Sequence, residues 1–174
     1  MKYFIVILSW VLLSSCSSQK NAKWVYQTDF DFSTIQSYGI FLRNSHFSDI
    51  QNLNDVMRNG IESAIERTLD NNGLFYQDIS QADVIVSYYF IQDNNASERL
   101  ARYNRAVFYC QRCPSAQKHD LGKDYLIIDL LAPNSRRSVW RSIYPVNIKV
   151  KDNSRIVNQK ILSAIRLMLA QVKS

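Results

Sequence analysis

The sequence predicts an α+β fold: a two-layer sandwich in the order β-α-β-β-β-α, with a mostly antiparallel sheet and two helices on one of its faces. Three observations carry this. "NLNDVMRNGIESAIERTLDNNG" and "DNSRIVNQKILSAIRLMLAQV" repeat apolar residues every three or four positions behind cap residues, the first ending in a glycine stop. "ADVIVSYYF" and "KDYLIIDLLAPNSRRSVWRSIYPVNI" are rich in β-branched and aromatic residues, and "PNSR" breaks the second. Nothing repeats internally, and the length suits one domain.

Along the chain, Ser37 to Leu42 read as the first strand, with Phe30 and Phe32 docking the chain ahead of it. Asn54 or Asp55 caps the first helix. Its buried face is Met57, Ile61, Ala64, Ile65, Thr68 and Leu69, and Asn71, Asn72 and Gly73 stop it. A strand follows at 82–90. A hairpin follows that, with strands near 124–132 and 138–148. Asp152, Asn153 or Ser154 caps the last helix, whose stripe is Val157, Ile161, Ala164, Ile165, Met168 and Val172. Between the second strand and the hairpin, residues 92–122 show no period and carry Arg99, Arg102, Arg105, Arg112 and Lys118. A connection of that length is either functional or loose. "LIIDLL" is apolar on both faces, so the second face of the sheet is expected to be partly covered.

The N-terminus reads as a secretion signal. Lys2 is the only charge before Cys16, and Tyr3 to Leu13 form an apolar run too short to span a bilayer, which takes about 20 residues. "LSSC", Leu13 to Cys16, resembles the bacterial lipobox. That resemblance implies acylation of Cys16, cleavage just before it, and stable anchoring through several acyl chains. Ser17 is not the Asp associated with inner-membrane retention, so the resemblance implies the periplasmic side of a Gram-negative outer membrane. The expected organisation is a signal peptide at 1–15, a lipidated tether at 16–23 and a single domain at 24–174.

Removing residues 1–15 leaves 159. It takes one lysine and no acid, so 21 basic residues against 15 acidic become 20 against 15, a charge near +5. The charges are scattered rather than striped, and the compartment excludes nucleic acid as a partner. Anionic lipid headgroups or lipopolysaccharide are the local polyanions.

Four constellations are candidates for chemistry. "CQRC" places Cys110 and Cys113 as a disulfide, half a metal site or a redox pair; the oxidising compartment favours the disulfide. His46 and His119 lie in polar stretches without "GxSxG" or "HExxH", so no catalytic residues, metal or cofactor are assigned. Asp83 and Asp129 lie at or within apolar strands and need partners. Arg141 can pair with Asp129 across the hairpin if the register allows. The aromatic residues Tyr88, Tyr89, Phe90, Tyr103, Tyr109, Tyr125, Trp140 and Tyr144 are either core or a lipid- or glycan-binding face. Tyr88, Trp140 and Arg141 are the candidate ligand set.

"TDFDFSTIQSYGIF", "IESAIERTLDNNGL", "ADVIVSYYF", "LIIDLLAPNSRRSVWRS" and the closing helix together resemble the bacterial lipoprotein family of domain of unknown function 4136 (DUF4136), over roughly residues 24–172. The resemblance implies a fold and an address, and no catalytic residues. The departure is the middle insert, often glycine-rich in the family and here basic with "CQRC". Two function classes follow: a non-catalytic outer-membrane lipoprotein with the membrane and an envelope protein as partners, or a carrier or sensor of a small lipid or glycan. An enzyme is disfavoured for want of a nucleophile–base or metal set.

Overall fold

The computed structural model describes residues 23–27, 30–41, 51, 53–91 and 124–172, the first of these stretches by its backbone. Cys16, Cys110, Cys113, His46, His119 and nearly all of the predicted tether lie outside the described residues.

The strands are β1 (Lys23–Gln27), β2 (Ser37–Ile40), β3 (Phe75–Tyr76), β4 (Val84–Ile91), β5 (Tyr125–Leu131) and β6 (Ser138–Pro145). The helices are α1 (Asp55–Asn71) and α2 (Ser154–Leu169). One sheet runs β1-β6-β5-β4-β2-β3. The first three junctions are antiparallel and the last two parallel. The parallel junctions follow from α1, a crossover that returns the chain to the end of the sheet where β2 began.

Both helices start on an asparagine. Asn54 Oδ1 accepts from the Met57 N–H at 2.8 Å, and Asn153 Oδ1 accepts from Ile156 at 3.0 Å. Helix α1 stops where Gly73 takes φ +84°. There Leu74 N–H donates to Leu69 O and Gly73 N–H to Asp70 O, both at 3.0 Å. This double closure satisfies the last carbonyls and tucks Leu74 against the core. Asn72 then donates its side-chain amide to Leu169 O and Val172 O, at 3.0 and 3.1 Å. The C-terminal ends of α1 and α2 therefore meet. Gly60 lies against Asn158 nearer the other end, so the two helices run parallel, side by side on one face of the sheet.

Two strands go beyond the predicted set, making six in place of four. β1 begins at Lys23, inside the span expected of the tether. β3 is only two residues long, too short for any periodic signal; it forms because Phe75 N–H and Gln77 N–H reach Gln36 O and Tyr38 O. The remaining elements fall within a few residues of expectation, and the sheet is mostly antiparallel with a parallel edge. Glu62 joins the buried stripe of α1, while Met57 and Val157 are only half-buried.

The pleat divides the sheet into two sets of rows. Val86, Leu130 and Trp140 form one row, Tyr88, Ile128 and Ser142 the next, and Phe90, Leu126 and Tyr144 a third. The Tyr88 hydroxyl reaches Glu62 of α1 at 3.0 Å, which identifies this as the helix face. Ser87, Asp129 and Arg141 share a row on the opposite face, flanked by Tyr89, Ile127 and Ile143. β4 is buried along its whole length and β5 nearly so, the reason their sequences are apolar on both parities. Gly39 belongs to the opposite face, where Ile79 packs on it. A Cβ there would sit 2.9 Å from Ile79 Cγ2 and 3.0 Å from its Cα.

Candidate functional site

The most concentrated chemistry lies on the opposite face. Asp129 and Arg141 are directly cross-strand. The Arg141 Nε donates to Asp129 Oδ1 at 2.7 Å and its Nη2 to Oδ2 at 2.9 Å, a two-pronged pair. Ser138 Oγ lies 2.7 Å from the same Oδ1 and donates to it. Ser138 comes within reach because a bulge pairs Leu131 with Ser138 in place of Val139. Asp129 is 0 % and Arg141 2 % exposed. The guanidinium fork and the hydroxyl both engage the carboxylate, and all three groups are buried. The chemistry of the cluster is to fix strand register.

Asp83 plays a related part at the parallel junction. Its Oδ2 accepts from Gln36 N–H and Ser37 N–H at 2.9 Å each and from Ser37 Oγ at 2.8 Å, tying the start of β2 to the start of β4.

The proposed ligand set does not come together. Tyr88 and Trp140 face the helices and are buried in the core, whereas Arg141 points to the other side of the sheet. Among the other predicted aromatics, Tyr89 and Phe90 are core, and Tyr125 and Tyr144 pack partly buried against it; Tyr103 and Tyr109 lie outside the described residues.

Three polar features were not legible in the sequence. Gln51 lies ahead of α1, where its side chain behaves as a short strand. It donates to Tyr88 O at 2.8 Å and accepts from Phe90 N–H at 3.0 Å, covering β4 beyond the end of β2. Glu62 accepts the Tyr88 proton inside the core; its position three residues before Ile65 was the available signal. Ser142 Oγ is buried with no hydrogen-bond partner among the described residues.

Several ionisable groups are shifted. The Tyr38 phenol is buried and donates to Asp70 at 2.9 Å; burial first, then that carboxylate, raises it far above the usual tyrosine range. Desolvation raises Asp124. Asp152 is lowered, first by the hydrogen bond from the Lys160 ammonium and then by the Lys149 N–H. Among the described residues no three His, Cys, Asp or Glu side chains are grouped to hold a metal ion, and no helix is long and apolar enough to cross a membrane.

The fold has solved counterparts. A DUF4136 family protein from Bacteroides thetaiotaomicron superposes with TM-score 0.58 at 13 % identity, covering 86 % of this chain and 94 % of that one. A PDZ domain protein from Parabacteroides distasonis superposes with TM-score 0.52 at 14 % identity, covering 87 % of this chain and 35 % of that one, so the likeness there is to one part of a longer protein. A search of curated proteins found no match. At these identities the structural likeness speaks for the fold alone. The family model named Domain of unknown function (DUF4136) matches residues 22–172, which takes in every strand and helix described above, and on that match the chain belongs to the DUF4136 family.

Proposed function

We propose that the chain is an outer-membrane-anchored periplasmic lipoprotein that acts without catalysis, as a binding or accessory module of the envelope. The observation that carries this reading is "LSSC" at Leu13 to Cys16, seven residues ahead of the first strand. The interior supports it: the charges at Asp129 and Arg141 are engaged with each other and with Ser138, and serve the register of the hairpin. The lipid on Cys16 makes the membrane one partner, and an envelope protein is the other. A small-ligand carrier would need Tyr88 and Trp140 to line an opening, and both are packed beneath the helices. Mass spectrometry of the mature N-terminus tests the anchor. Acylated Cys16 with outer-membrane fractionation is expected, and Cys16→Ala should release the protein; a mature chain without acyl mass, or a Cys16→Ala variant still fractionating with the membrane, sinks it. In-cell crosslinking of the lipoprotein then tests the partner class. A protein adduct is expected, and a lipid or glycan adduct without one would move the reading to a carrier.

A further inference from the structure

One end of the sandwich differs from the other in ways the fold itself does not require. β1 runs antiparallel to β6 with Lys23 opposite Ile143, so the chain enters the sheet at the end where β6 finishes. Nine residues past Pro145, α2 begins at that same end. α1 runs parallel to α2, as the Gly60–Asn158 and Asn72–Leu169 contacts require, so its N-terminus lies there too.

This end exposes apolar side chains among cations. Val150 is fully exposed, Val56 in the first turn of α1 is 64 % exposed, and Ile156 in the first turn of α2 is 38 % exposed. Lys149, Lys151 and Arg155 are exposed beside them, and the first turn of α2 contains no acid. Asp152 is paired with Lys160, which leaves Asp55, exposed, and Asp124, half-buried, as the other acids of this end among the described residues. Two parallel helix dipoles add positive potential. The far end also exposes apolar rings, Phe75 and Tyr76, but beside Asp70, Asp78 and Asp83, which an anionic surface would repel, while its exposed cations Arg136 and Arg137 lie apart on the β5–β6 turn.

Chain length limits which end the membrane can meet. Six residues lie between Cys16 and Lys23, so seven Cα-to-Cα steps span at most about 25 Å fully extended. A helix of the 16 residues of α2 is itself about 24 Å long. Presenting the far end to the bilayer would draw the tether taut along the whole domain, whereas the near end needs almost none of that reach.

We propose that the end carrying both helix N-termini and residues 149–156 rests on the anionic headgroup surface of the membrane that holds the Cys16 lipid. Val56, Val150 and Ile156 enter the interface, and Lys149, Lys151 and Arg155 meet the headgroup phosphates. This inference rests on the anchor reading above. Cations near such a surface favour contact by roughly fivefold each.

The test is amide hydrogen exchange on the full lipoprotein in vesicles of phosphatidylcholine alone or with phosphatidylglycerol, after mass spectrometry of Cys16. The expected result is protection of 54–58 and 146–156 in the phosphatidylglycerol vesicles, and its loss in Lys149→Glu/Lys151→Glu/Arg155→Glu but not in Arg136→Glu/Arg137→Glu. Absence of acyl mass overturns the anchor and this inference together. An acylated, vesicle-bound protein that exchanges alike in both vesicles, or is protected at 74–78 or 132–137 instead, overturns this inference alone.

Discussion

Replacing Arg141 by Met tests whether the Asp129–Arg141 pair fixes the hairpin. The change removes both prongs, at 2.7 and 2.9 Å, and leaves the 0 % exposed Asp129 with the Ser138 hydroxyl as a weaker partner. Stranding one member of a buried pair costs about 3–5 kcal/mol. Domains of this size are stable by about 5–15 kcal/mol, so a large share of the total is lost. At roughly 2–4 °C per kcal/mol, the melting temperature should fall by roughly 6–20 °C. Asp129→Leu alone should cost a similar amount. The double variant Asp129→Leu/Arg141→Met puts two apolar side chains into the row beside Ser87 and should come within about 2 kcal/mol of the parent. Urea denaturation followed by circular dichroism measures all four proteins, and the parent's midpoint should barely respond to 0.5 M salt, because a pair this buried is poorly screened. A single variant losing under about 1 kcal/mol, or a double variant as poor as the sum of the singles, would refute the reasoning.

Four further substitutions have predicted signs. Gly39→Ala should destabilise by about 1–3 kcal/mol because its Cβ meets the Ile79 backbone, whereas Gly60→Ala should stabilise by up to about 1 kcal/mol because it meets only the exposed side chain of Asn158; chemical denaturation giving both the same sign would count against these contacts. Gln51→Glu keeps an acceptor for Phe90 N–H but loses the donor to Tyr88 O, and should cost about 1–3 kcal/mol, with faster exchange of the Phe90 amide if the bridge loosens; unchanged stability would show that water replaces the bridge. Tyr38 is held protonated when folded and titrates near pH 10 when unfolded, so its contribution is complete below about pH 10 and is lost as pH rises above that. Stability should therefore fall more steeply above pH 10 in the parent than in Tyr38→Phe, and parallel denaturation curves for the two would contradict this.

What could be read in advance divides by physical range. Both helices were legible because their signals are local: a cap and a 3.6-residue stripe in each, and a glycine stop after the first. The Asp129–Arg141 pair was half legible. Two charges in apolar strands demand partners, but the partner follows only from the register, and a one-residue slip would send Arg141 to the helix side. The bulge at Leu130/Leu131 brings Ser138 opposite Leu131, and no residue in "PNSRRSV" announces it. The candidate ligand set of Tyr88, Trp140 and Arg141 divides between faces for the same reason. Trp140 and Arg141 are neighbours in sequence and therefore lie on opposite faces of a strand, so they could line one pocket only if the strand ended between them. β3 and Gln51 were invisible because both are answers to long-range vacancies, carbonyls and amides left free along neighbouring strands.

That closure of the interior moves the question of function outward. Glu62 answers Tyr88, Gln51 answers the free edge of β4, and Asp83 answers the start of β2, so these polar groups are spent on holding the sandwich together. The chain's own chemistry, the basic insert with Cys110 and Cys113, leaves the sheet at Ile91 and returns at Asp124, and both points lie at the same end as Lys23 and the two helix N-termini. The exposed cations thus share one end of the fold with Lys23 and with the points where the insert leaves and rejoins the sheet. On the anchor reading proposed above, a partner that recognises the insert would meet it beside the bilayer.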